Sequence, residues 1–343
     1  MNKSVLAGAV LALGLGAGPA IAQSDQLEEL NFGIISTESA QALEESFRPF
    51  IDDLSEYMGI PVNPFFAPDY AGVIEGMRFD KVDIAWFGNK SAMEAVDRAG
   101  GQIFAQTIKD DGSEGYYSLL ITNVDSPLNS IEDVLVCDKS LTFGNGDPNS
   151  TSGFLVPSYY VFALNGIDPS ECYASVLNSS HETNALAVAN GQVDFATNNT
   201  ESLYARLAQT QPEQAAKIKE IWRSPLIPSD PMVWRKNLPE EVKQDILYFF
   251  MTYGRFADDP EELARQRDVL ANMSDGWGPF LMSSNLQLIP IRELELFKNK
   301  TVIENDDSLS AEEKEQQIAA IDAQLAELAE LAEIVAPATP EVQ

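Results

Sequence analysis

The chain has 343 residues, of which 45% are hydrophobic and 22% are charged. Its 53 acidic and 22 basic residues give a formal net charge of -31, which excludes nonspecific binding to nucleic acids because phosphate backbones need a basic surface. The length favours two lobes over a single hydrophobic core.

Residues 1–22 have the composition of an export signal. They read MNKSVLAGAVLALGLGAGPAIA, in which one cation, Lys3, precedes an apolar run without acidic residues. The run is short for a membrane span and ends in glycine and proline. Residues 20–22 (Ala-Ile-Ala) match the small-x-small pattern of a cleavage site. We therefore expect a signal peptide over residues 1–22 and an exported mature chain that begins near Gln23; a membrane anchor is the alternative.

Strands and helices alternate along the following segment, a pattern typical of parallel sheets. The predicted elements are a strand over 30–35, a helix over 38–58, a strand over 62–66, a helix over 70–77 and a strand over 82–87. A similar unit recurs as a helix over 184–190 and a strand over 193–197. This weak internal repeat indicates two lobes of similar build.

Two extended segments are predicted to connect the lobes. Residues 116–122 (YYSLLIT) lead out of the first lobe, and residues 224–231 (SPLIPSDP), with three prolines, return to it. Connections stiffened by proline suit an interlobe hinge. We therefore predict lobe one over residues 28–120 plus 232–300 and lobe two over residues 123–225.

Residues 301–343 are predicted to form a C-terminal helix and tail. Ser310 and Glu313 have the spacing of a capping box, after which a helix should run to about residue 335. Apolar residues follow at three- and four-residue spacing: Ile318, Ile321, Leu325, Leu328 and Val335. Such a stripe packs either on the protein's own lobes or against a second copy of the chain, as a homodimer.

The two cysteines, Cys137 and Cys172, each come just before an apolar, strand-like run, at 141–143 and 174–177. If these strands are parallel neighbours, both thiols lie at the same end of the sheet. An exported protein meets oxidising conditions, which permit a disulfide. We favour a disulfide, with two separate buried thiols as the alternative.

Residues 147–153 (DPNSTSG), which we call the hydroxyl turn, follow a predicted strand and precede a helix predicted over 154–164. Ser150, Thr151 and Ser152 thus lie at a helix N-terminus, where free backbone N–H groups and the helix dipole favour negative charge. A plain N-cap needs one hydroxyl. Three hydroxyls indicate a site for phosphate, phosphonate or sulfate.

Other polar residues lie where they could complete such a site. His181, the single histidine, starts a second predicted helix and either donates to the same anion or has a structural role. Tyr70 and Tyr116 lie at the predicted cleft edge and either donate a hydrogen bond or pack. Glu201 follows a strand of the buried type, and Asp230 lies in the return hinge. Each carboxylate could bind a cation; otherwise Glu201 serves as a helix cap and Asp230 as a turn former.

Motifs of metal sites and of enzymes are missing from the sequence. One histidine and two separated cysteines do not match zinc spacings, and there is neither a GxxxxGK[ST] loop nor a GxSxG elbow. Ser150 and His181 could act as nucleophile and base only in a suitable geometry. We expect no enzymatic activity, no metal and no cofactor.

The chain resembles the periplasmic phosphonate-binding proteins of ABC importers, the PhnD type. The resemblance runs from about residue 30 to the late 290s, and its blocks are LNFGIISTES (30–39), FFAPDYAG (65–72), VDIAW (82–86), LTFGNGDPNSTSGFLVP (141–157), HETNALAVANGQVD (181–194), TNNTE (197–201) and SPLIPSDP (224–231). It implies a two-lobed α/β periplasmic binding fold of type II, the Venus-flytrap fold, here with a C-terminal helical extension. It also implies a periplasmic location and an ABC permease with its ATPase as partners.

The resemblance further implies a ligand, 2-aminoethylphosphonate or a related aminoalkylphosphonate. The residues that it assigns to the phosphonate group are Tyr70, Tyr116, Ser150, Thr151, Ser152 and His181, and those that it assigns to the ammonium are Glu201 and Asp230. A ligand without an amino group is expected to leave both carboxylates without a partner, at a cost of about 2–5 kcal/mol. The alternatives are phosphate or phosphite capture, a phosphonate hydrolase, and a sensory module acting through the C-terminal helix.

Overall fold

The computed structural model describes residues 27–274 and 276–335, so the predicted signal peptide lies outside the described residues. The strands are β1 (Leu30–Ile34), β2 (Val62–Phe66), β3 (Ile84–Trp86), β4 (Gly101–Gln106), β5 (Gly115–Tyr116), β6 (Ser118–Asn123), β7 (Thr142–Gly146), β8 (Ser175–Ser179), β9 (Phe195–Asn199), β10 (Ile218–Arg223), β11 (Ile227–Pro228), β12 (Pro231–Arg235) and β13 (Leu281–Met282).

The α-helices are α1 (Ala40–Met58), α2 (Tyr70–Arg78), α3 (Asn89–Arg98), α4 (Ile131–Val134), α5 (Pro169–Cys172), α6 (His181–Ala189), α7 (Ala208–Thr210), α8 (Pro212–Ala215), α9 (Glu240–Thr252), α10 (Pro260–Asn272), α11 (Ile289–Asn305) and α12 (Ala311–Val335). Three further segments are π-helical, at Thr151–Leu155, Ser158–Phe162 and Glu201–Leu207, and two are 3-10 helices, at Ala163–Asn165 and Asn285–Leu288.

Each lobe is built on one mixed sheet. The first sheet has the strand order β13-β4-β12-β3-β1-β2 and the second has the order β10-β6-β9-β7-β8. In both, three parallel strands continue into antiparallel ones: β2, β1 and β3 join β12, and β8, β7 and β9 join β6. The two-lobed α/β fold predicted from the sequence is confirmed.

The chain passes between the two sheets twice, beside a short ribbon of β5 and β11. Strand β5 leads directly into β6 of the second sheet, and β11 leads into β12 of the first. Both passages fall in the segments predicted as hinge connections. The exact lobe ranges remain a prediction. The first residues of β6 fall in the range predicted for lobe one, but this strand pairs with β9 of the second sheet.

The first lobe packs around aromatic rings, most of which belong to the helices α1 and α9. The Phe50 ring of α1 lies with its centroid 5.1–5.6 Å from those of four other aromatic residues, Phe249, Phe250, Tyr253 and Phe280. The second lobe has a smaller core, in which Phe143 of β7 stacks on Phe195 of β9 at 4.6 Å. The packing of these two strands therefore positions the segments that follow them, which contain the hydroxyl turn and Glu201.

The cysteines form a disulfide, Cys137–Cys172. Strands β7 and β8, which follow the two cysteines, are parallel neighbours, as the disulfide interpretation requires. The bond lies at the amino ends of these strands, opposite the end from which the hydroxyl turn emerges. It therefore stabilises lobe two at a distance from the cleft.

Helix α12 packs along α11 through the middle of its apolar stripe. Ile321 is buried, Ile318, Leu325 and Leu328 are partly buried, and Lys300 of α11 pairs with Asp322 of α12 at 2.6 Å. This packing accounts for these positions within one chain, while the side chain of Val335 lies outside the described residues. No helix within 27–274 or 276–335 combines the length and the apolar character that a membrane span needs.

Candidate functional site

A cleft between the lobes collects all eight side chains singled out from the sequence. Its lining comprises Ile35, Thr37, Glu38, Tyr70, Trp86, Gly88, Tyr116, Ser150, Thr151, Ser152, His181, Asn199, Glu201, Ser202, Arg206, Asp230 and Ser274. Many of these residues follow the carboxyl ends of parallel strands in the two sheets, which is where open α/β sheets bind ligands. The lobes are closed on each other around this cleft.

The hydroxyl turn begins where β7 ends. Ser150 is the N-cap, its Oγ accepting a hydrogen bond from the Gly153 N–H at 2.9 Å, and the helical segment starts at Thr151 rather than at the predicted residue 154. Gly146 makes the turn possible, because a Cβ there would lie 2.4 Å from the Gly153 carbonyl oxygen. One hydroxyl thus serves as the cap and leaves those of Thr151 and Ser152 for other contacts.

The oxygens of all three hydroxyls accept hydrogen bonds from protein donors. Thr151 Oγ1 accepts from the Lys90 backbone N–H at 2.8 Å, and Ser152 Oγ accepts from Asn199 Nδ2 at 3.1 Å, in addition to the Ser150 cap. A hydroxyl that accepts in this way keeps its own proton to donate. The buried turn therefore offers several donors to an oxyanion without using a cationic side chain.

His181, the first residue of α6, is neutral at physiological pH. Its side chain is almost fully buried, and this burial lowers its pKa to about 4. Asn199 Oδ1 accepts from the Ser202 N–H, which turns the amide Nδ2 toward His181 Nε2 at 3.2 Å. Nε2 is then an acceptor and Nδ1 carries the proton. Within the described residues this buried Nδ1 has no hydrogen-bond partner.

Tyr70, the first residue of α2, connects the lobes through its backbone. Its N–H donates to Asp147 Oδ2 of the hydroxyl turn at 3.2 Å. Burial, reinforced by Asp147 and Asp230, raises the pKa of the Tyr70 phenol well above its ordinary value. The phenol therefore keeps its proton and can act as a donor in the cleft.

Tyr116 contacts one of the carboxylates that line the cleft. Its Oη donates to Asp230 Oδ1 at 3.0 Å, and Trp86 Nε1 donates to the other carboxylate oxygen at 3.2 Å. Burial, followed by Asp230 and Glu201, raises the pKa of Tyr116 well above its ordinary value. The structure thus brings Tyr116, assigned from the sequence to the phosphonate, into contact with an acid assigned to the ammonium.

Glu201 begins the π-helical segment after β9 and faces a lysine from the other lobe. Lys109 Nζ lies 3.7 Å from Glu201 Oε1. With two donors on Asp230 and this cation beside Glu201, the expectation that both carboxylates lack a partner when the ligand has no amino group is wrong. Sequence reasoning missed Lys109, since no motif surrounds it and only the closure of the lobes brings it to the site.

Arg206 and Glu38 form a second interlobe pair at the cleft, also missed from the sequence. Arg206 Nε donates to Glu38 Oε2 at 3.2 Å, and its Nη2 donates to the Ala42 carbonyl at 3.1 Å. Nearby, the Ser39 N–H donates to Glu182 Oε2 at 2.9 Å. Residues 38–42 of lobe one are thereby tied to two helical segments of lobe two.

The family of the chain follows from its sequence over most of its length. The model of a family described as "ABC transporter, phosphonate, periplasmic substrate-binding protein" matches residues 32–282. The chain belongs to this family. The resemblance on which the sequence interpretation relied is confirmed.

Two relatives and one solved structure show how far the similarity extends. The chain is 54% identical over 329 residues to the phosphonates-binding periplasmic protein of Escherichia coli (strain K12), covering 95% of this chain and 94% of the relative. It is 57% identical, with a TM-score of 0.85, to the crystal structure of a binding protein component of an ABC phosphonate transporter from Pseudomonas aeruginosa, covering 89% of this chain and 98% of that one. It is 30% identical over 224 residues to the phosphate-import protein PhnD of Mycolicibacterium smegmatis, covering 63% of this chain and 68% of the relative.

Proteins of this phosphonate-binding family are substrate-binding components of transporters and not enzymes. One contact in the cleft has the residue types of a catalytic dyad. Ser150 Oγ lies 3.5 Å from His181 Nε2, but the other ring nitrogen has no partner among the described residues, whereas a triad needs an acid there. Nor do those residues contain a group of three or more side chains that could hold a metal ion.

Proposed function

We propose that this family member captures 2-aminoethylphosphonate, or a related aminoalkylphosphonate, in the periplasm and delivers it to an ABC permease and its ATPase. The observation that carries the proposal is that one cleft is lined both by the hydroxyl donors of the turn and by the carboxylates Glu201 and Asp230. Such a cleft matches a small molecule with an anionic head and a cationic tail. Export through a signal peptide at residues 1–22 is part of the same proposal.

The hydroxyl turn would supply most of the affinity. Ser150, Thr151 and Ser152, with Tyr70 and His181, can donate about five hydrogen bonds to the phosphonate oxygens, each worth about 1.5–3 kcal/mol when the acceptor is charged. After ordering costs, this is enough for sub-micromolar binding, about -8 kcal/mol.

Glu201 and Asp230 would supply a preference for aminated ligands. Since Tyr116 and Trp86 already bond to Asp230 and Lys109 neighbours Glu201, a ligand without an amino group does not meet two carboxylates without partners. We therefore infer a preference of about 1–2 kcal/mol, or roughly 5- to 30-fold, instead of the larger penalty expected from the sequence.

Isothermal titration calorimetry with 2-aminoethylphosphonate, methylphosphonate and phosphate tests this function. The aminated ligand should bind most tightly, and Glu201→Gln should weaken its binding more than that of methylphosphonate. Glu213→Gln, an exposed change in the same lobe, serves as the control. Equal affinity for all three ligands would remove the role of the amino group.

Phosphate capture is the second candidate. The Mycolicibacterium relative is named a phosphate-import protein, and the hydroxyl turn could hold phosphate by the same donors. In the same titrations, phosphate binding tighter than that of either phosphonate would favour this candidate.

A further inference from the structure

Lys109 brings a positive charge close to Glu201, a residue that lines the cleft. Its Nζ lies 3.7 Å from Glu201 Oε1, and the two side chains are only 21% and 17% exposed. Lys109 belongs to the first lobe, between β4 and β5, and Glu201 to the second. The pair therefore forms between the two lobes, and it involves a carboxylate that the proposed function assigns to the ligand's ammonium.

The backbone of Lys109 is held firmly enough to define where its side chain can reach. Its N–H donates to the Ser113 carbonyl at 3.1 Å, and residue 109 pairs with Trp277 in an isolated antiparallel bridge. Gly278 packs so closely that a Cβ there would lie 2.9 Å from the Lys109 carbonyl oxygen. The lysine thus extends from an anchored loop of lobe one toward Glu201.

We propose that Lys109 is a specificity-determining residue, whose ammonium supplies positive charge to Glu201 when the bound phosphonate has no amino group. The inference rests on the proposed function and concerns its selectivity. With a simple phosphonate bound, Lys109 keeps Glu201 ion-paired in the closed cleft. With an aminated phosphonate bound, the ligand's ammonium and Lys109 share Glu201 and repel each other. Lys109 therefore favours simple phosphonates and disfavours aminated ones.

The quantity that tests this role is the ratio of the two affinities, 2-aminoethylphosphonate over methylphosphonate. Lys109→Met removes the charge and keeps a side chain of similar length. This variant should raise the ratio by about ten-fold, because methylphosphonate binds more weakly while the aminated ligand binds as well or better. Lys109→Arg keeps the charge and should leave the ratio near the wild-type value.

Two further variants separate this role from simpler effects. Lys81→Met, an exposed change in the same lobe, also removes one positive charge and should leave the ratio unchanged. In the background of Glu201→Gln, Lys109→Met should no longer raise the ratio, since no charge at residue 201 is left to compensate. Thermal unfolding of each variant confirms that it is folded.

The titrations distinguish failure of this inference from failure of the proposed function. If Lys109→Met weakens both ligands by the same factor, Lys109 only helps to close the lobes and the inference is overturned. The inference is also overturned if Lys109→Met leaves the ratio of the two affinities unchanged, or if it raises this ratio by the same factor in the Glu201→Gln background. If the wild-type chain binds neither phosphonate, the proposed function falls and this inference falls with it.

Discussion

Closure of the two lobes should depend on Arg206. This residue belongs to lobe two and lines the cleft, but its guanidinium bonds to groups of lobe one. Its guanidinium donates to Glu38 and to the Ala42 carbonyl, both in lobe one. In an open form these groups would be separated and exposed to water, so both hydrogen bonds belong to the closed form. Arg206→Met should therefore shift the equilibrium of the lobes toward the open form.

The size of the effect follows from the geometry. Two hydrogen bonds are lost, each worth about 1.5–3 kcal/mol when a charged group takes part, and the side chains of Arg206 and Glu38 are only 14% and 8% exposed, so solvent screening is modest. Methionine retains part of the apolar packing of the arginine stem. We expect the closed form to lose about 2–3 kcal/mol, which weakens any ligand that requires closure by roughly 30- to 150-fold.

Calorimetry with 2-aminoethylphosphonate and methylphosphonate tests this reasoning, because loss of closure weakens both ligands by the same factor. Small-angle X-ray scattering should show a more open ligand-free form. Arg78→Met is the matched control, since Arg78 pairs with Glu75 within one helix of lobe one and both side chains are about half exposed. The reasoning is refuted if Arg206→Met leaves methylphosphonate unaffected and changes only the aminated ligand, for then Arg206 acts on the ligand's charge through Glu38.

Three other predictions concern stability and assembly. Burial lowers the pKa of His181 from 6.5 to about 4, so the unfolded chain binds more protons than the folded chain between these pH values. The free energy of unfolding should therefore fall as the pH is lowered through this window, by about 3 kcal/mol in all. Denaturant titrations near pH 7 and near pH 5 measure this loss, which His181→Gln should reduce. Replacing Cys137 and Cys172 by serine opens a loop of 35 residues and should lower the free energy of unfolding by about 4 kcal/mol, with ligand affinity unchanged because the bond lies at the end of β7 and β8 away from the cleft. Removing residues 310–343 should also leave ligand affinity unchanged, since none of the described side chains in 310–334 lines the cleft. Light scattering that shows a dimer only for the full chain would instead favour self-association through α12.

Local signals in the sequence predicted the elements around the hydroxyl turn. A strand, a glycine-rich turn and a helix start lie within a few residues of one another, so their order determines the geometry. The disulfide was favoured on the condition that the strands after Cys137 and Cys172 are parallel neighbours, and β7 and β8 meet this condition. The helix start was misplaced by three residues, because π-helical turns such as Thr151–Leu155 do not follow the 3.6-residue spacing by which helices are found in sequences.

Contacts between distant parts of the chain could not be predicted in this way. Arg206 and Glu38 are 168 residues apart in the chain, and Tyr116 and Asp230 are 114 residues apart. Glu38 and Asp230 lie in recognisable blocks of sequence, but their partners Arg206 and Tyr116 do not. The Arg206–Glu38 pair forms between the lobes, and Tyr116 meets Asp230 beside the ribbon of β5 and β11. The sequence therefore indicated which side chains face the cleft, but not that the carboxylates already have partners there.

These partners explain how a chain with a net charge of -31 can bind an anion. In the described part of the chain, three carboxylates line the cleft: Glu38 pairs with Arg206, Glu201 with Lys109, and Asp230 accepts from Tyr116 and Trp86. Each negative charge is thus offset within a few ångströms, and surface charges more than about 10 Å away are largely screened at physiological salt. An incoming phosphonate head then responds chiefly to the nearby hydroxyl and N–H donors of the hydroxyl turn. Short-range dipoles decide whether the anion stays in the closed cleft, and the global charge acts mainly on the rate at which it arrives.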